Sequence, residues 1–446
     1  MPGKTRDGGF LDRWAGHMPG VTAAVPPLTA PPTGSIRSLL HRRDFRAFLL
    51  ARMAPALAGG ALSVVLGFHL YALTRNPLDL GWLGLAEAVP AVGLVLYGGH
   101  AADRHSRRWI TLVTLAAQAA LALGLALGTA GGLGAALILV VAVLRGTVRA
   151  LGEPAIVGLQ AQVIPAEHAL RAVSVLGSAG RAAFLLGPAL GGLLYAAAGP
   201  AVAYAVIAAF YVAGAVLLRS GVPDRGPVAP ARAGGAAVAI VEGIRYVFSD
   251  QVMVGSMMLD LFAVFFGGAT ALLPVYAADI LHVGPAGLGL LRAATSFGGL
   301  AAMLLATRHP PRARAGLVLH LVVAGFGVSI IVFGLSTSFA LSLAALACAG
   351  AFDGVSMVIR QAIMQLIAPD GMRGRIAAVR SVFITSSNEL GDFESGIAAS
   401  LIGAVPAVWL GGVITLAVVA VTAWRAPVLR RLDLGHAERQ SAAAGR

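Results

Sequence analysis

A chain of 446 residues ordinarily divides into two or three soluble domains. Here 58% of the residues are hydrophobic and only 12% are charged, a balance that water-facing surfaces do not tolerate and lipid-facing helices require. The formal charge of +13 falls in short arginine clusters between apolar runs, which argues against a nucleic-acid partner and for loops on the cytoplasmic side of a membrane. The one cysteine, Cys348, sits in an apolar run and reads as a small buried residue, excluding an intramolecular disulfide and any multi-cysteine metal site. Lys4 is the only lysine and stands too near the start for a phosphate-binding loop and its preceding strand, so ATP hydrolysis by this chain is not expected.

Residues 1–36 are rich in Pro, Gly and Ala without a contiguous apolar centre, and they read as a disordered cytoplasmic tail in place of a signal peptide. From Ile36 the pattern Leu39, Leu40, His41, Arg42, Arg43, Phe45, Arg46 predicts a short basic amphipathic lead-in at the inner membrane face. Six apolar runs follow near 48–73, 80–99, 110–130, 133–157, 172–198 and 201–218, each close to the roughly 20 residues that cross a ~30 Å hydrocarbon layer. They define an amino-terminal bundle over 37–219. Residues 220–250, with Pro223, Pro227, Pro230 and Gly234, read as a cytoplasmic linker. Six further runs near 252–280, 286–307, 316–335, 339–367, 376–403 and 405–424 define a second bundle over 251–426, and a basic cytoplasmic tail, 427–446, closes the chain.

Loop charge tests this count. With the amino terminus inside, the inner connections hold Arg104, Arg107, Arg108, Arg171, Arg219, Arg225, Arg232, Arg308, Arg312, Arg314, Arg373 and Arg375, whereas the outer loops hold only Arg75. An arginine cluster follows the second span of each half, as expected for parallel repeats. The reading is an all-α integral membrane protein, monomeric, with twelve transmembrane helices in two pseudo-symmetric six-helix bundles, in a cell membrane of bacterial type with both termini cytoplasmic.

Gly99, Asp103, Arg104, Arg107 and Arg108 after the second span resemble the loop signature of the major facilitator superfamily, with Ser106 where that signature usually has glycine. Gly187-Pro188-Ala189-Leu190-Gly191-Gly192 in the fifth span is similar to the superfamily's Gly-Pro-x-x-Gly-Gly signature, common in exporters that exchange cargo for protons. Ala183 stands where an upstream glycine is usual. Asp260-Leu261-Phe262-Ala263, Leu273-Pro274, Arg373-Gly374-Arg375-Ile376 and Leu390-Gly391-Asp392-Phe393-Glu394-Ser395-Gly396 resemble the branch that holds bacterial siderophore exporters. That resemblance implies export of siderophores or other small organic molecules and leaves the cargo open.

The resemblance also implies that Asp103 lies against the start of the eleventh helix, around 375–379, where an acid at a helix amino end gains about 0.3–1 kcal/mol. Arg107 then needs an acid of its own, and Glu153 is the candidate, so that the corner latches the two halves. A solvated loop without a gating part is the alternative. Ionisable residues inside spans are costly and therefore functional candidates. Arg145, Arg149 and Glu153 recur every four residues on one face of the fourth span. The resemblance implies a central cavity lined by the first, fourth, seventh and tenth spans, which sets Arg145 and Arg149 opposite Asp260, Asp353 and Arg360. Asp260 and then Asp353 are the candidate proton carriers, a fixed Asp–Arg pair being the competing reading. Asp392, with Glu389 and Glu394, predicts a water-filled vestibule or pairing with Arg292 or Arg181, and Glu87 stays open between packing and transport.

The expected function is a proton-coupled exporter of a small organic molecule that works by rocking of two bundles. A nutrient importer or uniporter is the alternative within transport, and an integral-membrane enzyme or non-transporting sensor the alternative outside it. No cofactor or metal is expected, since His69, His282 and His320 fall on separate spans or loops.

Overall fold

The computed structural model describes residues 36–132, 134–164, 168–226, 244–308, 313–367 and 372–435; the expected amino-terminal tail, most of the 220–250 linker and the end of the carboxy-terminal tail lie outside them. Every regular element among the described residues is helical. Short α1 (Ile36–His41) leads into α2 (Arg43–Thr74), α3 (Pro77–Gly93), α4 (Val95–Arg104), α5 (Arg107–Ala130), α6 (Ala135–Val163) and α7 (Ala169–Gly221). The second half holds α8 (Gln251–Gly267), α9 (Gly284–Arg308), α10 (Ala315–Leu335), α11 (Phe339–Ile367), α12 (Arg373–Ile402), α13 (Ala404–Arg425) and α14 (Pro427–Arg430). Nine helical stretches among the described residues are long and apolar enough to cross a membrane, with α8 counted together with the turns that continue it to Ile280, or ten if a bent pair counts as one span.

Local chemistry sets the breaks. Gly199 has φ 77, a left-handed conformation that glycine adopts without strain, and Pro200 follows at the first helical position, so α7 is two arms, 169–198 and 200–221. Gly403, φ 90, divides α12 from α13 at the matching place in the second half. The second apolar run, expected as one span over 80–99, is instead α3 and α4 bent by 50°. Pro90 inside α3 lacks an N–H and Gly93 follows it, which is how an apolar helix kinks. Asn76 and Asp250 cap their helices, accepting the N–H groups of Leu78 at 3.1 Å and Met253 at 2.8 Å. Beyond α8, Gly268 breaks the helix into a 3-10 turn, Ala269–Leu272, and a π-helical turn, Tyr276–Ile280.

Packing is dense within each half and selective between them. One apolar core joins α2, α5, α6 and α7 through buried Phe45, Leu62, Leu125, Ile138 and Tyr204. Two others lie within the second half, around Leu259, Leu319 and Leu429 and around Val247, Ile376 and Val379. A fourth draws on both halves, setting Val64, Tyr71 and Leu80 against Leu272, Leu273 and Tyr276. It lies at the end of the molecule that carries Arg75, opposite the end that carries Asp103. Here α3 meets α12 and α7 meets α9 through glycine: a Cβ on Gly396 would lie 2.8 Å from the Gly81 Cα, and one on Gly192 would lie 3.0 Å from the Gly289 Cα.

The exterior is apolar, with Leu127, Leu401 and Trp424 exposed, as lipid contact allows. Cys348, expected inside the core, is exposed on α11 because the outward face of a membrane helix is as apolar as its inward face. The expected tail beyond residue 426 is docked as far as it is described: Leu429 and Leu434 are buried, and the Gly316 N–H donates to the Leu432 carbonyl at 3.1 Å.

Glycine also sets the spacing inside the second half, where a Cβ on Gly350 of α11 would collide with the Thr295 carbonyl of α9. Gly350→Val is expected to cost about 1–3 kcal/mol of stability by overpacking, read as a lower melting temperature of the purified protein. Gly124→Ala, where a Cβ meets nothing within 4 Å, should leave that temperature unchanged or higher. Equal melting of Gly350→Val and the parent chain would contradict the close approach of α9 and α11.

Candidate functional cavity

A cavity opens between the halves behind the closed Arg75 end. One lobe, of about 620 Å³, is lined by Ser63, Glu87, Arg145, Arg149, Arg292 and Asp392 among others. A second, of about 600 Å³, shares Gly180, Phe184, Thr295 and Ser296 with the first and runs past Arg181, Met303 and Asp353 toward the Asp103 end. Each is large enough for a drug-sized molecule.

Glu87 of α3 is the anchor of the first lobe. Its carboxylate accepts from Arg145 at 2.8 Å and from Arg149 at 2.9 Å, one helical turn apart on α6. Arg145 also donates to the Gly59 carbonyl at 3.3 Å, and its side chain is 10% exposed. Two guanidiniums on one acid give a cluster, buried at Arg145 and open to the cavity at Arg149, that keeps a positive charge. The α6 arginines therefore pair within the first half, where the sequence placed them opposite Asp260, Asp353 and Arg360. The physical reason is proximity: α3 packs along α6, and an acid on an adjacent helix satisfies a guanidinium without spanning the cavity.

Asp260, Asp353 and Arg360 form a separate cluster in the second half. Arg360 of α11, 7% exposed, makes an ion pair with Asp260 of α8 and a longer one with Asp353 at 3.4 Å. Arg380, hydrogen-bonded to Gln361, lines the same small cleft as Asp260 and Arg360. Asp353 alone of the three also reaches the second lobe of the cavity.

Arg292 of α9 donates to the Ser63 hydroxyl of α2 at 2.6 Å, a direct bond between the halves, and its Nε has no partner. Arg181 meets the Met303 sulfur at 2.7 Å. Neither is ion-paired with Asp392, Glu389 or Glu394 as the sequence suggested. Asp392 and Glu389 line the first lobe, as does Glu153, and Asp392 accepts the Ala271 backbone N–H.

The charged corner is tied to its own half. Arg107 lies 3.5 Å from Asp103 and donates to the Gly158 carbonyl at 3.2 Å, so its acid is Asp103 in place of the expected Glu153. The spacing explains this: Asp103 and Arg107 stand four residues apart across a tight corner, while Glu153 turns toward the cavity. Ser106, at the usual glycine position, has φ −58 and needs no glycine; its hydroxyl caps α5, accepting the Trp109 N–H at 3.2 Å, and donates to Asp224 at 2.8 Å. The Gly226 N–H and that hydroxyl hold the Asp224 carboxyl below its ordinary value. Arg108 donates to the Arg219 carbonyl at the end of α7, 2.6 Å away, satisfying a helix terminus. Arg104 is exposed, and Gly99 has open space where a Cβ would stand. The contact expected between Asp103 and 375–379 involves side chains at 375, 377 and 378 that lie outside the described residues.

The fifth-span motif lies at a junction of three helices: Gly187 and Gly191 face Gly60 and Ala61 of α2, Pro188 packs on Gly60, and Gly192 faces α9.

Sequence reasoning missed the closing contacts of the Arg75 end. The Tyr71 hydroxyl donates to Asp279, and the Arg75 guanidinium lies 2.6 Å from the same carboxylate. A signal was available, because Arg75 follows the first span of one half and Asp279 ends the first span of the other. Among the described residues no group of His, Cys, Asp and Glu is arranged to hold a metal ion.

The profile of the Major Facilitator Superfamily matches residues 47–391. The chain is 26% identical over 367 residues to the Enterobactin exporter EntS of Shigella flexneri, covering 81% of this chain and 85% of that protein. It is 26% identical over 365 residues to the Enterobactin exporter EntS of Citrobacter koseri, with the same coverage of each. Among solved structures it resembles a bacterial homologue of the human lysosomal transporter Spinster, inward-facing and unoccupied, with a TM-score of 0.66 and 14% identity over 87% of this chain and 95% of that one. It also resembles a D-xylose–proton symporter, with a TM-score of 0.64 and 15% identity over 84% and 97% of the two chains. At these identities the structural likeness is one of fold, while the profile spans most of the helices described above. The chain belongs to the Major Facilitator Superfamily and is an integral membrane transporter, not an enzyme.

Proposed function

We propose that this transporter exports a small organic molecule across a bacterial plasma membrane in exchange for protons, by alternating access. The observation that carries the reading is the cavity between the halves, shut at the Arg75 end and continuing toward the Asp103 end. Arginine-rich loops belong in the cytoplasm, so the Asp103 end faces inward, both termini are cytoplasmic, and the conformation is one that takes cargo from inside. In its favour, the two relatives above are named as exporters. Twelve spans follow from the ten counted above, the second arm of α7, and α12, whose Glu389, Asp392 and Glu394 lower its hydropathy; they form two six-span bundles in a single chain acting as a monomer.

The Asp260–Arg360–Asp353 cluster is the coupling site in this reading. Two carboxylates share one guanidinium, so a proton can be taken up by one acid while the other keeps the ion pair. Asp103, 59% exposed, is the part of the corner free to meet α12 when the inner end closes.

In proteoliposomes with an imposed pH gradient, screened against small organic cations, zwitterions and catechols, at least one compound should accumulate against its own gradient, and a protonophore should abolish that accumulation. Asp260→Asn and Asp353→Asn should lose accumulation and keep exchange of labelled for unlabelled compound. Accumulation that survives the protonophore would sink proton coupling.

The Arg75–Asp279 pair, 63% and 40% exposed, is worth about 0–1 kcal/mol. Asp279→Asn should therefore raise the outward-open population by up to about fivefold. With Cys348→Ser as background, a cysteine replacing Ser63 should react correspondingly faster with an impermeant maleimide added outside intact cells. Unchanged or slower labelling would show that this pair does not hold the outer end closed.

A further inference from the structure

The charged groups of the first cavity lobe are unequally engaged. Of its three arginines, Arg145 and Arg149 are ion-paired with Glu87, and Arg292 donates to the neutral Ser63 hydroxyl with its Nε unpartnered. Of its four carboxylates only Glu87 is ion-paired. Among the described residues no basic nitrogen stands within 4.0 Å of Glu153, Glu389 or Asp392. A carboxylate without a counter-ion inside a membrane protein is costly, and a cation arriving in the cavity supplies what the protein withholds.

Two of these acids form a shelf. Glu389 and Asp392 are three residues apart on α12 and share the face turned to α3. Opposite them stands Gly84 of α3, packed close: a Cβ there would lie 3.3 Å from the Asp392 Cβ and 3.9 Å from its Oδ2, so no side chain of α3 covers the carboxylate at this position on the cavity wall. Phe184 lines both lobes and is 69% exposed, an aromatic face with no packing duty of its own. Aromatic faces attract cations and accept apolar bodies.

We propose that the cavity takes its cargo as an organic cation, with the charged centre on the Glu389–Asp392 shelf beside Gly84 and an aromatic or aliphatic body against Phe184. An anion of the same shape meets four carboxylates against three arginines, two of which are already paired with Glu87. The inference rests on the reading of the cavity as the cargo site, and it is independent of the direction of transport and of the coupling ion.

Tetraphenylphosphonium and tetraphenylborate, alike in shape and opposite in charge, test it by calorimetric titration of the purified full-length protein in lipid nanodiscs. The phosphonium should bind and the borate should not. Glu389→Gln and Asp392→Asn should each weaken phosphonium binding about tenfold, equivalent to ~1.4 kcal/mol. Glu389→Asp should retain most of the affinity, and Phe184→Ala should weaken it less than loss of either acid. Gly84→Leu, which sets a bulky side chain against Asp392 while both acids stay in the sequence, should abolish binding; it serves also if an acid variant fails to fold, with folding checked by melting temperature and gel filtration. Borate binding as tight as phosphonium, no phosphonium binding to the parent chain, or phosphonium binding unchanged by the folded shelf variants would each overturn the proposal. Phosphonium binding without any gradient-driven flux would instead remove the proton-coupled export reading and leave this one standing.

Discussion

Long helices that touch backbone to backbone at one end cannot also touch at the other, and the rest of the architecture follows from that constraint. The α2 helix has 32 residues and is about 48 Å long, more than a ~30 Å hydrocarbon layer requires. At the Arg75 end, Gly81 against Gly396 and Gly192 against Gly289 bring the halves within backbone contact. From there the helices diverge, and the divergence is the cavity. The apolar core that includes both halves lies at the closed end, while the cores around Phe45 and around Leu259 each stay within one half.

Buried charge is distributed on the same plan. Glu87 with Arg145 and Arg149 lies within the first half, and Asp260 with Arg360 and Asp353 lies within the second. Breaking a buried pair such as Arg145–Glu87 or Arg360–Asp260 costs about 3–5 kcal/mol, whereas pairs with an exposed member, such as Arg149–Glu87, contribute about 0–1 kcal/mol. The polar contacts that cross between halves include the exposed Arg75–Asp279 pair, the Tyr71–Asp279 and Arg292–Ser63 hydrogen bonds and the Arg181–Met303 contact, and none of these is a buried ion pair. Each buried ion pair among the described residues therefore lies within one half, while Arg292 and Asp279 have partners in the other half. The arginines of α6 pair with α3 and not across the cavity because α3 packs along α6.

Hydropathy and arginine placement made most of the helices legible, because about 20 apolar residues and a charged corner have few other physical meanings. Breaks were legible where one residue decides them, as at Gly199 before Pro200. Partner choice was not. The spacing of Arg145, Arg149 and Glu153 gives a shared helical face but does not say which neighbour it meets, and Glu87 could be assigned only once α3 was seen lying along α6. Ser106 was read as a departure from a glycine, yet its negative φ makes the serine a working helix cap. Cys348 was misplaced because a lipid-facing and a core-facing residue have the same hydropathy. The Tyr71–Arg75–Asp279 contact joins residues 204 and 208 positions apart, and its charges lie at span ends, where loop counting treats them as solvated.

The two ends must balance energetically for such a molecule to cycle. Opening the Arg75 end exposes Val64, Tyr71 and Leu80 to water together with Leu272 and Leu273, surface worth roughly 25 cal/mol per Å² while buried. That cost is met if closing the Asp103 end buries comparable surface, and the open lobe offers it: Phe184 and Met357, 69% and 39% exposed, line it from opposite halves. Where the apolar terms nearly cancel, and with the buried ion pairs kept inside each half, the difference between states comes down to the crossing contacts and to what occupies the cavity. A ligand shifts such an equilibrium only by its preference for one state. The glycine faces thus do more than allow close packing: by keeping large side chains out of the closed end, they hold the apolar surface exposed on opening to an amount that cargo binding can offset.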